Sequence, residues 1–282
     1  MQIATAPRLL EQSEAEEMYE FVSGVASPAR DDLGIDAVRL GGGVALAVRN
    51  DPSNYWSKAL GFGFSEPVTN ELIAEVCTFY RTRHASQATV QIAPSLLPSD
   101  WEDICATMNL RQEGATWKLA CRTSTAVAHG NDVKLQTDLT VTPVDRRSAH
   151  EWSQAMPKAM GMPSTGFSDM AHASVGRLNW FPFAVRDAGE AIVATATMRV
   201  HGLVATLFAG CTLPEARRRG AQSALIAARA RAAQAAGCEW LVAETAPHAP
   251  ESPNTSYQNL LRFGFAPVYV RPNWVWRPAQ CH

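Results

Sequence analysis

Hydrophobic positions along the chain fall at helical intervals in some stretches and alternate in others, and the two patterns take turns. Residues 9–22 read as a helix. Residues 37–48 read as two strands joined through Gly41-Gly42-Gly43, which turns the chain at little steric cost. Pro67 suits a first helical turn, after which Leu72, Ile73, Val76, Phe79 and Tyr80 fall at i, i+1, i+4, i+7 and i+8 on one face. A strand over 89–93, a helix over 100–108, a helix stop at Gly114 and a strand over 116–122 complete a βαβαβ order.

Residues 123–138 are polar, contain His129-Gly130-Asn131-Asp132 and sustain no period. They predict a linker, with one domain over 1–125, the linker proper over 126–138 and a second domain over 139–282. Beyond it come a helix over 145–156 and strands over 183–186, 192–200 and 203–211, an antiparallel meander. A helix opens near Gly220, carries Ala221, Ala224, Leu225, Ala228, Ala232 and Ala235 along one side, and closes at Gly237; Arg229 and Arg231 then point elsewhere. A strand over 240–244, a helix over 254–263 closed by Gly264 and an extended segment over 267–276 follow. The steps 67–89 and 220–240 are nearly equal, and 89–114 nearly matches 240–264, so the N-terminal half reads as a diverged duplicate. The fold class is α/β with a mixed sheet.

Composition narrows the function. The chain has 282 residues, 46% hydrophobic and 18% charged, enough for two cores. A net charge of -2 gives no field that draws the protein to nucleic acid or an anionic membrane, so any anion site is local. An acidic run from Glu11 to Glu20 stands where a signal peptide would be basic, and no segment reaches transmembrane length; the expectation is a cytoplasmic protein. Six cysteines are scattered without C-x-x-C or paired histidines, which predicts buried thiols and no metal site.

The stretch Cys211-Thr212-Leu213-Pro214-Glu215-Ala216-Arg217-Arg218-Arg219-Gly220-Ala221-Gln222-Ser223 joins a strand end to a helix start through an arginine-rich loop. A helix N-terminus offers unpaired N–H groups and the positive end of its dipole to a pyrophosphate, glycine permits close approach, and arginines add charge-assisted bonds. The plainer alternative is a solvated basic turn. Neither G-x-x-x-x-G-K-S/T nor G-x-G-x-x-G is present. The stretch resembles the R/Q-x-x-G-x-G/A motif of the acyl-CoA-dependent N-acyltransferases of the GNAT type, with Arg217 first, Gly220 at the glycine and Ala221 next, and it departs at Gln222, where Gly or Ala is usual. The resemblance implies that Cys211, Thr212, Leu213, Arg217, Arg218, Arg219, Gly220, Ala221, Gln222, Ser223 and Asn254 hold acetyl-CoA. It also implies that the strand N–H of Thr212 or Leu213 meets the tetrahedral oxyanion.

Residues 254–265 resemble the same family's N-x-x-A-x-x-L-Y-x-K-x-G-F helix, with Gly264-Phe265 in place, Ser256 at the small position and Leu260 where the tyrosine stands. Tyr257, one turn earlier, is then the candidate general acid, with core packing as its alternative role. Asn254 caps the helix. Glu244 is the candidate base, against an exposed strand end or an arginine partner. In the N-terminal half the matching turn, Gly61 to Pro67, has no arginine and carries Glu66, so that half is expected to have lost the cofactor and to wall the acceptor pocket, where Tyr55, Trp56, Phe62 and Phe64 line the pocket or fill core.

The resemblance thus implies a tandem-GNAT enzyme that moves an acetyl group to a primary amine of a small molecule or peptide. Its rivals are a non-catalytic acyl-CoA-binding or regulatory module and a structural pseudoenzyme that pairs subunits. Trp274-Val275-Trp276 either closes the core or pairs a homodimer.

Overall fold

A computed structural model describes residues 7–133, 138–164, 166–247 and 254–279, and the chain forms two compact units. The first takes Met1–Thr116 and Tyr269–His282, the second Trp117–Val268. This differs from a boundary at 126–138. Residues read as linker begin with helix Thr123–Gly130, which packs closely enough on the second unit that a Cβ on Gly130 would lie 3.1 Å from that of Ala227. The low apolar contrast of Thr123-Ser124-Thr125 hid the helix.

In the first unit, helix α1 (Pro7–Ser23) and a short α2 (Ala29–Leu33) precede a hairpin of β1 (Ile35–Leu40) and β2 (Gly43–Val48). Leu40 pairs with Gly43, and Gly41 and Gly42 both have positive φ, as a two-residue hairpin turn demands. β2 pairs antiparallel with β3 (Lys58–Leu60), which pairs parallel with β4 (Ala88–Gln91) across helix α3 (Asn70–Thr82). α3 starts after Thr69, whose side chain accepts from the Leu72 N–H, so Pro67 stands outside the helix. Helix α4 (Trp101–Met108) ends on Asn109 in the left-handed conformation. Gly114 is therefore no helix stop; it lies inside β5 (Leu110–Arg122) with φ +79. The apolar face predicted for α3 is the centre of this unit's core, with Trp101 and Trp276. Trp56 and Phe62 are core residues too.

The second unit orders its strands β6 (Thr140–Pro143), β7 (Phe183–Arg186), β8 (Ile192–His201), β9 (Val204–Thr212), β10 (Trp240–Thr245) and the end of β5. All neighbours are antiparallel except β9 and β10, which are parallel. With α5 the Thr123–Gly130 helix, α6 (Ala149–Met160) and α7 (Phe167–Ser174) lie between β6 and β7, α8 (Ala221–Ala235) crosses from β9 to β10, and α9 (Thr255–Arg262) follows β10. α6 begins four residues later than its pattern suggests, because Asp145 forms a turn with the N–H groups of Arg147 and Ser148.

Each unit is completed by a strand from the other part of the sequence. Residues 117–122 of β5 pair with β10, and β11 (Ala266–Trp276) contributes Asn273 to Trp276 to β4. The second crossing is anchored by charge. Arg271 is fully buried and bonds Glu11 at 2.5 Å and Glu14 at 2.8 and 3.0 Å, while the Tyr269 hydroxyl donates to Glu11 at 2.6 Å. The acidic run of α1 is thus partly turned inward. Arg271→Ala leaves two buried carboxylates without their cation and is expected to cost about 3–5 kcal/mol, read as a lower midpoint in urea unfolding; a variant as stable as the parent would show that the network does not hold the strand.

Candidate functional site

The site grows from the way β9 ends. β9 keeps parallel register with β10 from Val204↔Trp240 to Leu207↔Ala243, and no further. Beyond Leu207 it follows β8 alone, with a bulge: Thr197 pairs with Phe208 and Thr195 with Cys211, so Ala209 and Gly210 together face Ala196. Ala209 has φ +50 there. The two parallel strands diverge, and a cavity of about 870 Å³ opens at their ends. That size suits a large small-molecule ligand.

Leu213, a 3-10 turn at Pro214–Ala216 and three arginines lead from β9 into α8. Arg218 and Gly220 have φ +62 and +86, which turn the backbone into the first helical turn. No side chain caps α8, and its first-turn residues Ala221, Gln222 and Ser223, whose N–H groups have no partner within the helix, line the cavity. Arg217 and Arg218 line it too, and the Arg217 Nε donates to the Thr212 carbonyl at 3.4 Å. Arg219 does not; its guanidinium bonds Asp138. The lining includes Arg262, and among the described residues its charged side chains are all arginines.

Of the residues predicted for the cofactor, Cys211, Thr212, Arg217, Arg218, Gly220, Ala221, Gln222, Ser223 and Asn254 meet at this cavity, while Leu213 and Arg219 are outside the lining. Leu213 is buried, and its N–H donates to the Val193 carbonyl at 2.9 Å, which removes it as an oxyanion donor. By the alternation of an antiparallel ladder, the Thr212 N–H then points away from β8, toward the side β10 has left. Gln222 turns its side chain to α9, donating to Ser256 at 2.8 Å and accepting from Asn259 at 2.5 Å, so the bulk that departs from the motif is directed off the helix N-terminus. Asn254 caps α9 by accepting from the Tyr257 N–H, and donates to Thr245 and Ala246 at the end of β10.

The two candidate catalytic residues lie outside the lining. Glu244 sits opposite Lys118 across the β10–β5 pair and accepts from its buried ammonium at 2.5 Å. Tyr257 packs against Trp117, ring centroids 5.9 Å apart, at the edge of the core that holds Leu260. Sequence reasoning missed Ser256, Asn259 and Arg262, which line the cavity from α9. Arg262 had a signal: counted back from Gly264, it falls on the lysine of the helix motif.

Among the described residues no helix is long and apolar enough to cross a membrane, and no His, Cys, Asp and Glu group is placed to hold a metal ion.

No family model and no curated protein sequence matches the chain. Its similarity is structural. A tandem GNAT protein from the clavulanic acid biosynthesis pathway superposes with a TM-score of 0.63 at 14% identity, over 100% of this chain and 98% of its own. A GCN5-related N-acetyltransferase from Kribbella flavida gives 0.60 at 14% identity, over 99% and 98%, and one from Sphaerobacter thermophilus 0.58 at 13%, over 88% and 78%. The chain has the GNAT fold in its tandem form.

Burial raises the Cys211 thiol above its ordinary value of 9.0, against the opposing pull of Arg229 and Arg217. A raised value leaves the protonated form dominant at neutral pH. Site-resolved iodoacetamide labelling at neutral pH is expected to modify Cys211 more slowly than free cysteine, its rate still climbing with pH where that of free cysteine levels off; faster labelling than free cysteine would mark an activated nucleophile.

Proposed function

We propose that the second unit is an N-acyltransferase that moves the acetyl group of acetyl-CoA to a primary amine of a small molecule or peptide. The observation that carries this reading is the N-terminus of α8, which no side chain caps, with Arg217 and Arg218 beside it in the lining of the cavity. These groups suit a pyrophosphate: the first N–H groups of α8 would hold its oxygens, the two guanidiniums would neutralise it, and Arg262 would meet a further phosphate. Bound there, acetyl-CoA supplies an activated acyl carbon; the amine nitrogen bonds to it, the carbon–sulfur bond breaks, one proton leaves nitrogen and one joins the thiolate. The Thr212 N–H is the donor that supports negative charge on the carbonyl oxygen.

Lys118 holds the Glu244 carboxylate on the β5 side, so the reading assigns deprotonation to water and to positioning of an already neutral amine. The first unit's matching turn supports one site per chain. Phe62 is buried there, and a Cβ on Gly61 would lie 2.8 Å from that of Ala15, so core occupies the space. A second reading is favoured by Glu244 and Tyr257 standing outside the lining: a module that binds acyl-CoA without turning it over.

Calorimetric titration with acetyl-CoA and with CoA tests binding, and thiol release over a panel of amines separates the two readings. One saturable site per chain is expected, with thiol release on adding an amine. Arg217→Glu with Arg218→Glu is expected to lower affinity about 100-fold or more, from charge-assisted bonds of about 1.5–3 kcal/mol each. Arg219→Gln, whose native partner is Asp138, is expected to stay within about threefold of the parent. No binding by the parent sinks both readings.

A further inference from the structure

We propose that Arg229 is a positioning residue for this reaction: from inside α8 it holds β9 in its bulged path and so sets where the Thr212 N–H points. The inference rests on the reading of the cavity as an acyl-thioester site. Arg229 was expected to point away from the sheet, yet it is only 3% exposed. Its Nε donates to the Leu225 carbonyl at 3.1 Å, and its Nη1 reaches the Thr197 carbonyl at 3.2 Å and the Phe208 carbonyl at 3.4 Å. Thr197 and Phe208 face each other as the last regular pair before the bulge. One guanidinium therefore ties both strands to the helix where the ladder breaks.

β9 is also shaped around this group. A Cβ on Gly210 would come within 3.2 Å of the Arg229 Nη2, so the residue that passes the guanidinium has no side chain. The extra residue of the bulge shifts everything after it by one place, since a strand alternates its N–H directions. Without the bulge, Cys211 rather than Thr212 would stand opposite Ala194 and turn its N–H toward the splayed side. An apolar side chain of similar length would fill the same space with no charge to desolvate, so packing alone does not account for a buried guanidinium. Its charge is felt at the cavity wall: Arg229 draws the Cys211 thiol downward against the larger effect of burial.

The test uses acetyl-CoA labelled at the thioester carbonyl, bound to the full-length protein and read by isotope-edited infrared spectroscopy, with CoA affinity measured separately by calorimetry. In the parent the bound carbonyl band lies below its position in water-free reference solvent, the mark of a directed N–H donor. In Arg229→Met the band is expected to lose that displacement and any preference for acetyl-CoA over CoA to vanish, while CoA affinity stays within about threefold. Arg229→Lys, which can reach one of the two carbonyls, is expected to fall between. A parent-like band in Arg229→Met overturns the proposal. If circular dichroism shows that variant unfolded, Arg229→Lys decides by the same criterion, a parent-like band again overturning it. Failure of the parent to bind either ligand refutes the cavity reading itself, and is seen without any variant.

Discussion

A parallel strand pair keeps its hydrogen bonds only while both backbones follow one path, and the site in this protein depends on the point where that stops. β9 and β10 share register through Leu207 and Ala243; the bulge at Ala209 and Gly210 then carries β9 away. A gap between parallel strands exposes backbone donors that a closed ladder would consume. The β9–α8–β10 crossover brings the N-terminus of α8 to the same end of the sheet. Strand donors and helix donors thereby line one cavity. The bulge sacrifices ladder bonds, and Arg229 satisfies carbonyls on both strands beside it.

Strand, helix and parallel strand also occur in the first unit, as β3, α3 and β4, and the two crossovers differ at the start of the helix. The Thr69 side chain caps α3 and occupies the Leu72 N–H, whereas α8 starts at Gly220 with no side-chain cap. A capped helix has satisfied the donor that a phosphate would use. The turn before α3 carries Glu66 and buries Phe62; the turn before α8 carries three arginines. Retention of the crossover with loss of its donors is what a duplicated unit kept for its core would display.

The meander, the α3 stripe, the glycine turn of the first hairpin and the arginine loop were legible because each has contrast in a short window. What lacked contrast or crossed the sequence was not. α8 is so rich in alanine that either side of it resembles a buried face, and the structure buries Ala227, Arg229, Ala230 and Ala233 rather than Ala228, Ala232 and Ala235. Its phase is set by tertiary contact. α7 and the three-residue β3 are too short to leave a periodic trace. The exchange of strand segments between the units is invisible in a linear reading, because Lys118 and Glu244, or Glu11 and Arg271, are partners across distances no local window spans. The same holds inside the site: Thr212 and Leu213 are neighbours with like propensity, and only the bond from the Leu213 N–H to Val193 tells their N–H groups apart.

Positive charge does more in such a cavity than hold phosphate. A cation near an amine disfavours its protonated form, by the same Coulomb term that favours an anion. Arg217, Arg218 and Arg262 line the cavity, Arg229 lies beneath its wall, and no carboxylate is among the described lining residues. On the proposed reading, an amine entering there would be biased toward its neutral, nucleophilic form. That bias fits the placement of Glu244: a carboxylate in the lining would weaken phosphate binding and stabilise ammonium, whereas one held by Lys118 outside the lining does neither. On the proposed reading, the placement of Glu244 and the cluster of arginines would serve one electrostatic end, and such a field would favour acceptor amines of low basicity.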